Sequence, residues 1–250
     1  MKKIFGIVSI VVVLAVVVAV IIIALRLDDI VKNNVAIYGP KIVKVPVSVD
    51  EVHIALVAGS VKITRLIVGN PPGYKTPDAI RIGTASVGVN VFSLLSQKIV
   101  VRSIVLKSPE ITFEGGLASN NLRKILDNVN GTAQKGGPVV TNAVGKPKPA
   151  KKFEVDDFRI TGATVHVHLT DLGGQEATIP LPDIHLTDLG KNADGITASD
   201  LSRRVFAAIV ASTLKAVTAE ATNIGNTGQL KNVGTGVVNK IKKLGGLFKK

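Results

Sequence analysis

From Ile4 to Leu25 the chain runs for 22 residues without a charged side chain. Wound into an α-helix, such a run is about 33 Å long, enough to cross a hydrocarbon core of about 30 Å. The run predicts a transmembrane helix. The competing reading is a cleaved secretory signal, because Lys2 and Lys3 form a basic start and Ala19 could precede a cleavage point. The apolar run, however, exceeds the usual signal core of about 7 to 15 residues. No cysteine follows it to carry a lipid anchor. Lys2 and Lys3 precede the run, whereas Asp28 and Asp29 follow Arg26. That asymmetry predicts a cytoplasmic N-terminus, with the remainder translocated.

Composition narrows the possibilities for the rest of the chain. With 46% hydrophobic residues and a mean hydropathy of +0.37, the chain is not disordered. A single long apolar run excludes a multi-span transporter. The absence of cysteine excludes disulfide frameworks, thiolate metal sites and cysteine nucleophiles.

Downstream, residues 28–38 place Ile30, Asn34 and Ile37 on one helical stripe, and Gly39-Pro40 supplies a stop. From Val45 the apolar period changes to two. Val45, Val47 and Val49 alternate with Pro46, Ser48 and Asp50, and then Val52, Ile54 and Leu56 alternate with His53 and Ala55. Gly59-Ser60 reads as a turn, residues 61–68 as a strand, and Asn70-Pro71-Pro72-Gly73-Tyr74 as a loop. Further strands are predicted over 80–92, 98–107 and 110–114, and after a break over 153–160, 164–169, 177–181 and 183–186. Ser119 or Asn120 can cap a helix carrying Leu122, Ile125, Leu126 and Val129 on one face. Thr197 or Ser199 can cap a second, running to about Thr218, with Leu201, Val205, Ile209 and Leu214 toward the core. Residues 131–152, with Gly136-Gly137 and KPKPAKK, read as a flexible linker or loop. An internal echo joins the two strand groups. Residues 98–115 overlay 152–169 at a constant offset of 54, matching apolar positions at 99/153, 101/155, 104/158, 106/160, 111/165 and 113/167.

Chemistry-bearing groups are sparse. His166 and His168 share a strand face with His185 in reach, a conceivable metal set, but exposed strand histidines are the favoured account. Asp156 and Asp157 are adjacent on a strand and point to opposite faces, so they cannot jointly hold one substrate. The sequence around Ser86 approaches a nucleophile elbow but lacks glycine at 84 and alternates like a strand. Asn130-Gly131-Thr132 fits a glycosylation acceptor, a match frequent by chance. The sequence predicts no enzyme, no cofactor and no metal. Nucleic acid is not expected as a partner, because no aromatic residues interleave with the basic ones despite a net charge of +13.

Several motifs in order resemble the AsmA-like proteins of bacterial envelopes. These are the N-terminal apolar run, the V-x-V strand, Asn70-Pro71-x-Gly73-Tyr74, Ser93-Leu94-Leu95 before a Val-rich strand, the SPEITF strand at 108–113, and Asn121-Leu122-x-x-Ile125-Leu126. The resemblance covers roughly residues 1 to 130 and, more loosely, to 190. It implies a strongly curved sheet related to modules of bridge-like lipid transfer proteins, with an apolar concave face for acyl chains.

The expected fold class is α+β. An N-terminal transmembrane helix precedes a curved, mostly antiparallel β-sheet with a few packing helices and a basic amphipathic C-terminal tail. Its divisions are a membrane anchor (1–27), a β-rich module (28–130), a flexible linker (131–152), a second strand group with a helix (153–219) and the tail (220–250). In the tail, Val237, Ile241, Leu244 and Phe248 share a stripe opposite most of the lysines, which suits an interfacial helix on anionic lipid; a solvated tail is the bland alternative. Taken together, these features predict a single-pass protein of a bacterial inner membrane with a periplasmic lipid-handling domain in envelope maintenance. Its partner would be membrane phospholipid, with Val47, Ile54, Ile63, Val89, Val101 and Ile111 touching acyl chains. Lys240, Lys242, Lys243, Lys249 and Lys250 would meet headgroups. The alternative is a non-catalytic adaptor whose closed β domain binds another envelope protein.

Overall fold

The computed structural model describes residues 26–138, 140–141, 147–148, 150–169, 175–191 and 194–226. Helix α1 occupies 26–43. Strands β1 (Val47–Ala55), β2 (Ser60–Gly69) and β3 (Asp78–Val89) form a meander, followed by a 3₁₀ helix, Val91–Leu95. Next come β4 (Lys98–Lys107), β5 (Glu110–Gly115), α2 (Asn121–Gln134) and two short strands, β6 (Val140–Thr141) and β7 (Pro147–Lys148). The chain then forms β8 (Lys152–Thr161), β9 (Thr164–Leu169), β10 (Gln175–Pro180), β11 (Ile184–Leu189) and α3 (Ala198–Asn226).

All strands except β6 and β7 share one nine-stranded sheet. Strand β3 is long enough to pair along one edge with β2 and along the other with both β4 and β5. Most ladders are antiparallel, but β4 runs parallel to β8 and β5 parallel to β9. The partners begin at Lys98↔Lys152 and end at Gly115↔Leu169. The internal echo is therefore a physical seam: all six apolar matches at offset 54 are pairs of strand neighbours. A parallel pair needs a long crossover, and α2 with β6 and β7 supplies it.

The sheet bends along a line that can be followed residue by residue. In β2 the inward side chains are Val61 and Ile63, then Leu66 and Val68. Parity switches at Arg65, whose φ of 51° lies in the left-handed region. Across the parallel seam the bend falls at Ser108 (φ 46°), between β4 and β5, and at Gly162 (φ 62°), between β8 and β9. Local left-handed residues and bulges turn a strand and increase its twist. Repeated across neighbouring strands, they curve the sheet into a half-barrel.

Helices close part of the hollow. Of the stripe expected on α2, Leu122, Ile125 and Val129 are sealed against β5 and α3, and Leu126 is partly buried against the same core. Asn120 caps that helix, accepting from Arg123 N at 3.0 Å. Thr197 caps α3, accepting from Asp200 N at 3.0 Å and donating to Asp200 Oδ2 at 2.8 Å. The buried side chains among the described ones of α3 are Ser199, Phe206, Ile209, Val210, Thr213 and Val217. Leu201, Val205 and Leu214 stay partly exposed against the same core.

Several expectations are corrected. The fold is α+β, but the transmembrane helix placed first in it is not among the elements of the described residues. No helix among the described residues is long and apolar enough to cross a membrane. Residues 4–25, expected to form that helix, lie outside the described residues, as do the expected basic tail and its lysines Lys240, Lys242, Lys243, Lys249 and Lys250. Helix α1 itself carries Arg26, Asp28, Asp29 and Lys32, so its sequence is too polar for a hydrocarbon interior. It also runs through Gly39-Pro40 rather than stopping there, and Ile30 and Ile37 face outward while Ile42 is buried. The stretch 131–152 is not one loop, because α2 extends to Gln134, β6 pairs with β7 and β8 begins at Lys152. Phe92 leaves the strand expected to hold it and enters the 3₁₀ helix, and α3 extends to Asn226.

Candidate functional site: the curved apolar face

Following Cα partners from strand to strand resolves the alternating pattern into apolar rows across the sheet. One row reads Val47, Val68, Ile80, Ile111, Val165, Ile179. A second reads Val52, Ile63, Ala85, Leu106, Ile160, Ile184. A third, nearer the β1–β2 turn, reads Ile54, Val61, Val87, Ile104, Phe158, Leu186. Directly paired residues point to the same side of a sheet, so each row is one continuous apolar strip on the inner face.

The rows differ in how well they are covered. In the first two, every member is buried except Val47 and Ile63, which still pack against the core. In the third, only Phe158 is buried. The cause is the placement of the helices: α2 lies over β5, and α3 over β8, β10 and β11. On the β1–β3 side, Ile54, Val61 and Val89 stay partly exposed and outside the buried core. Together with Val87 and Ile104 they form a strip of aliphatic surface on the hollow side of the sheet.

The six acyl-chain candidates named from the sequence all fall on this inner face. Val101 and Ile111 are sealed within the core at 6% and 1% exposure and offer no surface to a ligand. Val47 and Ile63 line its edge, while Ile54 and Val89 belong to the uncovered strip. Val61, Val87 and Ile104 are not singled out by the sequence. Their signal is the strand register, which a period of two does not specify.

At the other end of the sheet, a buried polar lock fixes the loop after β2. Glu114 accepts from Lys75 N at 2.6 Å, Thr76 N at 2.9 Å and Thr76 Oγ1 at 2.6 Å. Burial alone would push the Glu114 carboxyl up, but these bonds and the nearby His168 hold it below its usual range. Asn121 is fully buried. It donates to Asn70 Oδ1 and Thr112 O, both at 2.8 Å, and accepts from Glu114 N at 3.0 Å. Asn70 in turn donates to Thr76 O at 2.8 Å. A cleft of about 620 Å³ opens beside this lock, lined by Tyr74, Lys75, Glu114, Ser119 and Lys124 among others. Burial first, and the Glu114 charge second, raise the Tyr74 hydroxyl pKa. With both Glu114 oxygens engaged by donors, this carboxylate holds the loop and is not free to act as a base.

The histidines have separate partners. His166 Nδ1 meets Thr178 Oγ1 at 3.2 Å, His168 Nδ1 meets Glu176 Oε1 at 3.1 Å, and His185 Nε2 meets Asp157 Oδ1 at 2.6 Å. The His185 and Arg159 contacts depress the Asp157 carboxyl. Among the described residues, no group of three or more His, Asp or Glu side chains is placed to hold a metal. Ser86 is an exposed strand residue paired with Lys62 and Val105. Thr132 is buried in α2, with its hydroxyl donated to Ile42 O and Asn128 O. No family model matches the chain, and no curated protein matches it.

Proposed function

We propose that the protein is a non-enzymatic lipid-handling module, in which the uncovered strip of the curved sheet accepts an acyl chain by partitioning. The observation carrying this reading is the contrast between adjacent rows: Ile54, Val61 and Ile104 remain partly exposed, whereas Val52, Leu106 and Ile160 one row away are buried. Apolar area removed from water contributes about 25 cal/mol per Å², so a hydrocarbon tail along that strip supplies the cover that the helices leave off. The AsmA-like resemblance points the same way. Its motif residues Asn70, Glu110 to Phe113 and Asn121 lie in the polar lock and the parallel seam.

The test is uptake of a fluorescent fatty acid by the purified full chain, together with mass spectrometry of lipids that co-purify. Val61→Glu, which places a charge in the strip, should abolish uptake while leaving the fold intact. Lys62→Glu, on the opposite face of the same strand, should not. A chain that carries no lipid and takes up no labelled acyl chain sinks the reading in favour of the adaptor. The sealing of the first two rows is the feature consistent with that closed domain.

A further inference from the structure

Where β1 turns into β2, and β3 runs into the 3₁₀ helix, the protein ends in an apolar tip. Val57, Phe92 and Leu95 are 105%, 88% and 91% exposed. The two segments that carry them are held together, because Val89 N donates to Gly59 O at 2.7 Å. Gly59 is needed for that approach. It adopts φ +60°, and an added Cβ would meet Val89 O at 2.5 Å. The 3₁₀ turn is also anchored: Asn90 Oδ1 accepts from Phe92 N at 3.1 Å, and Ser93 Oγ accepts from Val100 N at 2.9 Å. These large side chains are therefore presented to water on a fixed backbone.

The segments that form the tip carry basic side chains and no acidic ones. Arg102 Nη2 donates to Val89 O at 3.1 Å, and Lys151 Nζ reaches Leu94 O at 3.4 Å and also Ser96 O. Residues 52–62 and 89–107 contain no Asp or Glu, and the KPKPAKK sequence leads into Lys151. The N-terminal end of α1 lies at the same end of the sheet, with Asp28 Oδ1 accepting from Ile54 N at 2.9 Å.

We propose that this tip docks on an anionic phospholipid bilayer, with Val57, Phe92 and Leu95 entering the interfacial region and Arg102 and Lys151 meeting headgroup phosphates. Three exposed apolar side chains are too small a surface for a stable protein interface, which needs about 800 Å² per partner. A bilayer accepts such a wedge without a complementary pocket. Self-association through two basic tips is opposed by the net charge of +13. Docking goes beyond the acyl-chain reading and does not require it.

The chain contains no tryptophan, so Phe92→Trp introduces a single reporter at the tip. Ile37→Trp serves as the control. It lies on the outward side of α1 toward the opposite end of β1, where Gly39 packs on Val47. Both full-length variants are titrated with phosphatidylcholine vesicles containing about a third phosphatidylglycerol, with and without brominated acyl chains. The tip reporter should shift to the blue and be quenched by bromine, and the control should not. Arg102→Gln combined with Lys151→Gln should weaken binding to these vesicles by about 25-fold, from roughly fivefold per charge.

Three results overturn the proposal. One is emission from the Phe92→Trp variant that vesicles leave unchanged, whether the chain stays free or attaches by another segment. Another is equal binding to neutral vesicles. The third is a blue shift that grows with protein concentration in the absence of lipid, which marks a second copy as the occupant. Circular dichroism checks that each variant is folded. Fatty-acid uptake by the same variants separates the two readings, since tip substitutions should leave it intact, and loss of uptake in the unsubstituted chain counts only against the curved face.

Discussion

Ser108 and Gly162 occupy the same corner in two adjacent strands, with φ of 46° and 62° and Ser108 N donating to Thr161 O at 2.8 Å. They are related by the offset of 54 that pairs β4 with β8 and β5 with β9. One copy meets the left-handed requirement with glycine and the other with serine, and serine carries the penalty of a Cβ in that region, about 1–2 kcal/mol.

Ser108→Gly should therefore stabilise the protein. The relief is offset in part by the greater freedom of glycine in the unfolded chain, leaving a net gain of about 0.5 kcal/mol. Gly162→Ala at the corresponding corner carries the same penalty, offset in part by the stiffer unfolded chain, and should cost about 0.5–1 kcal/mol, with its Cβ 3.3 Å from Ser108 Oγ. Urea unfolding of both variants, followed by circular dichroism, measures the pair. Equal effects of the same sign would show that the corner does not carry the strain assigned to it.

The strands and the stripe on α2 are legible in the sequence because alternation and the 3.6-residue period follow directly from which side chains are apolar. The offset of 54 is legible for the same reason, since an in-register parallel seam stacks like on like: Ile111 beside Val165 and Phe113 beside Val167. Openness is not. Val101 and Ile54 alternate identically in sequence, yet one is buried and the other partly exposed, because Val101 lies in β4 beside β8, on which α3 lands, and Ile54 in β1, which pairs only with β2. The outward side of α1 misleads because Ile30 and Ile37 form as good a stripe as the side that packs. The tip escapes notice because Ser93-Leu94-Leu95 reads as an ordinary apolar segment until its backbone closes into a 3₁₀ turn with no core beneath it.

The uneven cover of the inner face sets a stability contrast. Ile160→Ala removes a side chain that is 1% exposed and should cost about 2–5 kcal/mol through lost burial and a residual cavity. Ile54→Ala, in the uncovered strip, leaves no enclosed cavity and should cost about 1 kcal/mol. Denaturant midpoints of the two variants report the difference. Similar losses at both positions would mean that Ile54 is as tightly covered as Ile160.

Glu114 gives the lock a pH dependence of defined sign. Its folded pKa lies below the ordinary value of 4.5, so the carboxylate contributes stability at neutral pH that is lost as pH falls below that value and through the lower folded one. Glu114→Gln keeps one acceptor oxygen but turns an amide NH₂ toward the Lys75 and Thr76 donors. It should cost about 1–3 kcal/mol at neutral pH and flatten the acid limb of the stability curve. Urea midpoints measured between neutral pH and acid for both proteins test this. An unchanged acid slope in the variant would move the titration elsewhere.

Asn121 supplies the opposite sign. Its amide donates to Asn70 Oδ1 and Thr112 O, and its oxygen accepts from Glu114 N. Asn121→Asp replaces the donor with an acceptor facing those two oxygens, in a position with 0% exposure. Burying an unpaired charge costs more than losing the bonds alone, so this variant should be less stable at neutral pH than Asn121→Ala. A carboxyl forced into that site is held in its protonated form, which restores one donor. Its folded pKa is then raised, and the deficit relative to Asn121→Ala should shrink as pH falls. Comparing the two variants in urea at neutral and mildly acidic pH measures that crossover. Parallel curves would indicate that water reaches Asn121 and that the lock is not dry.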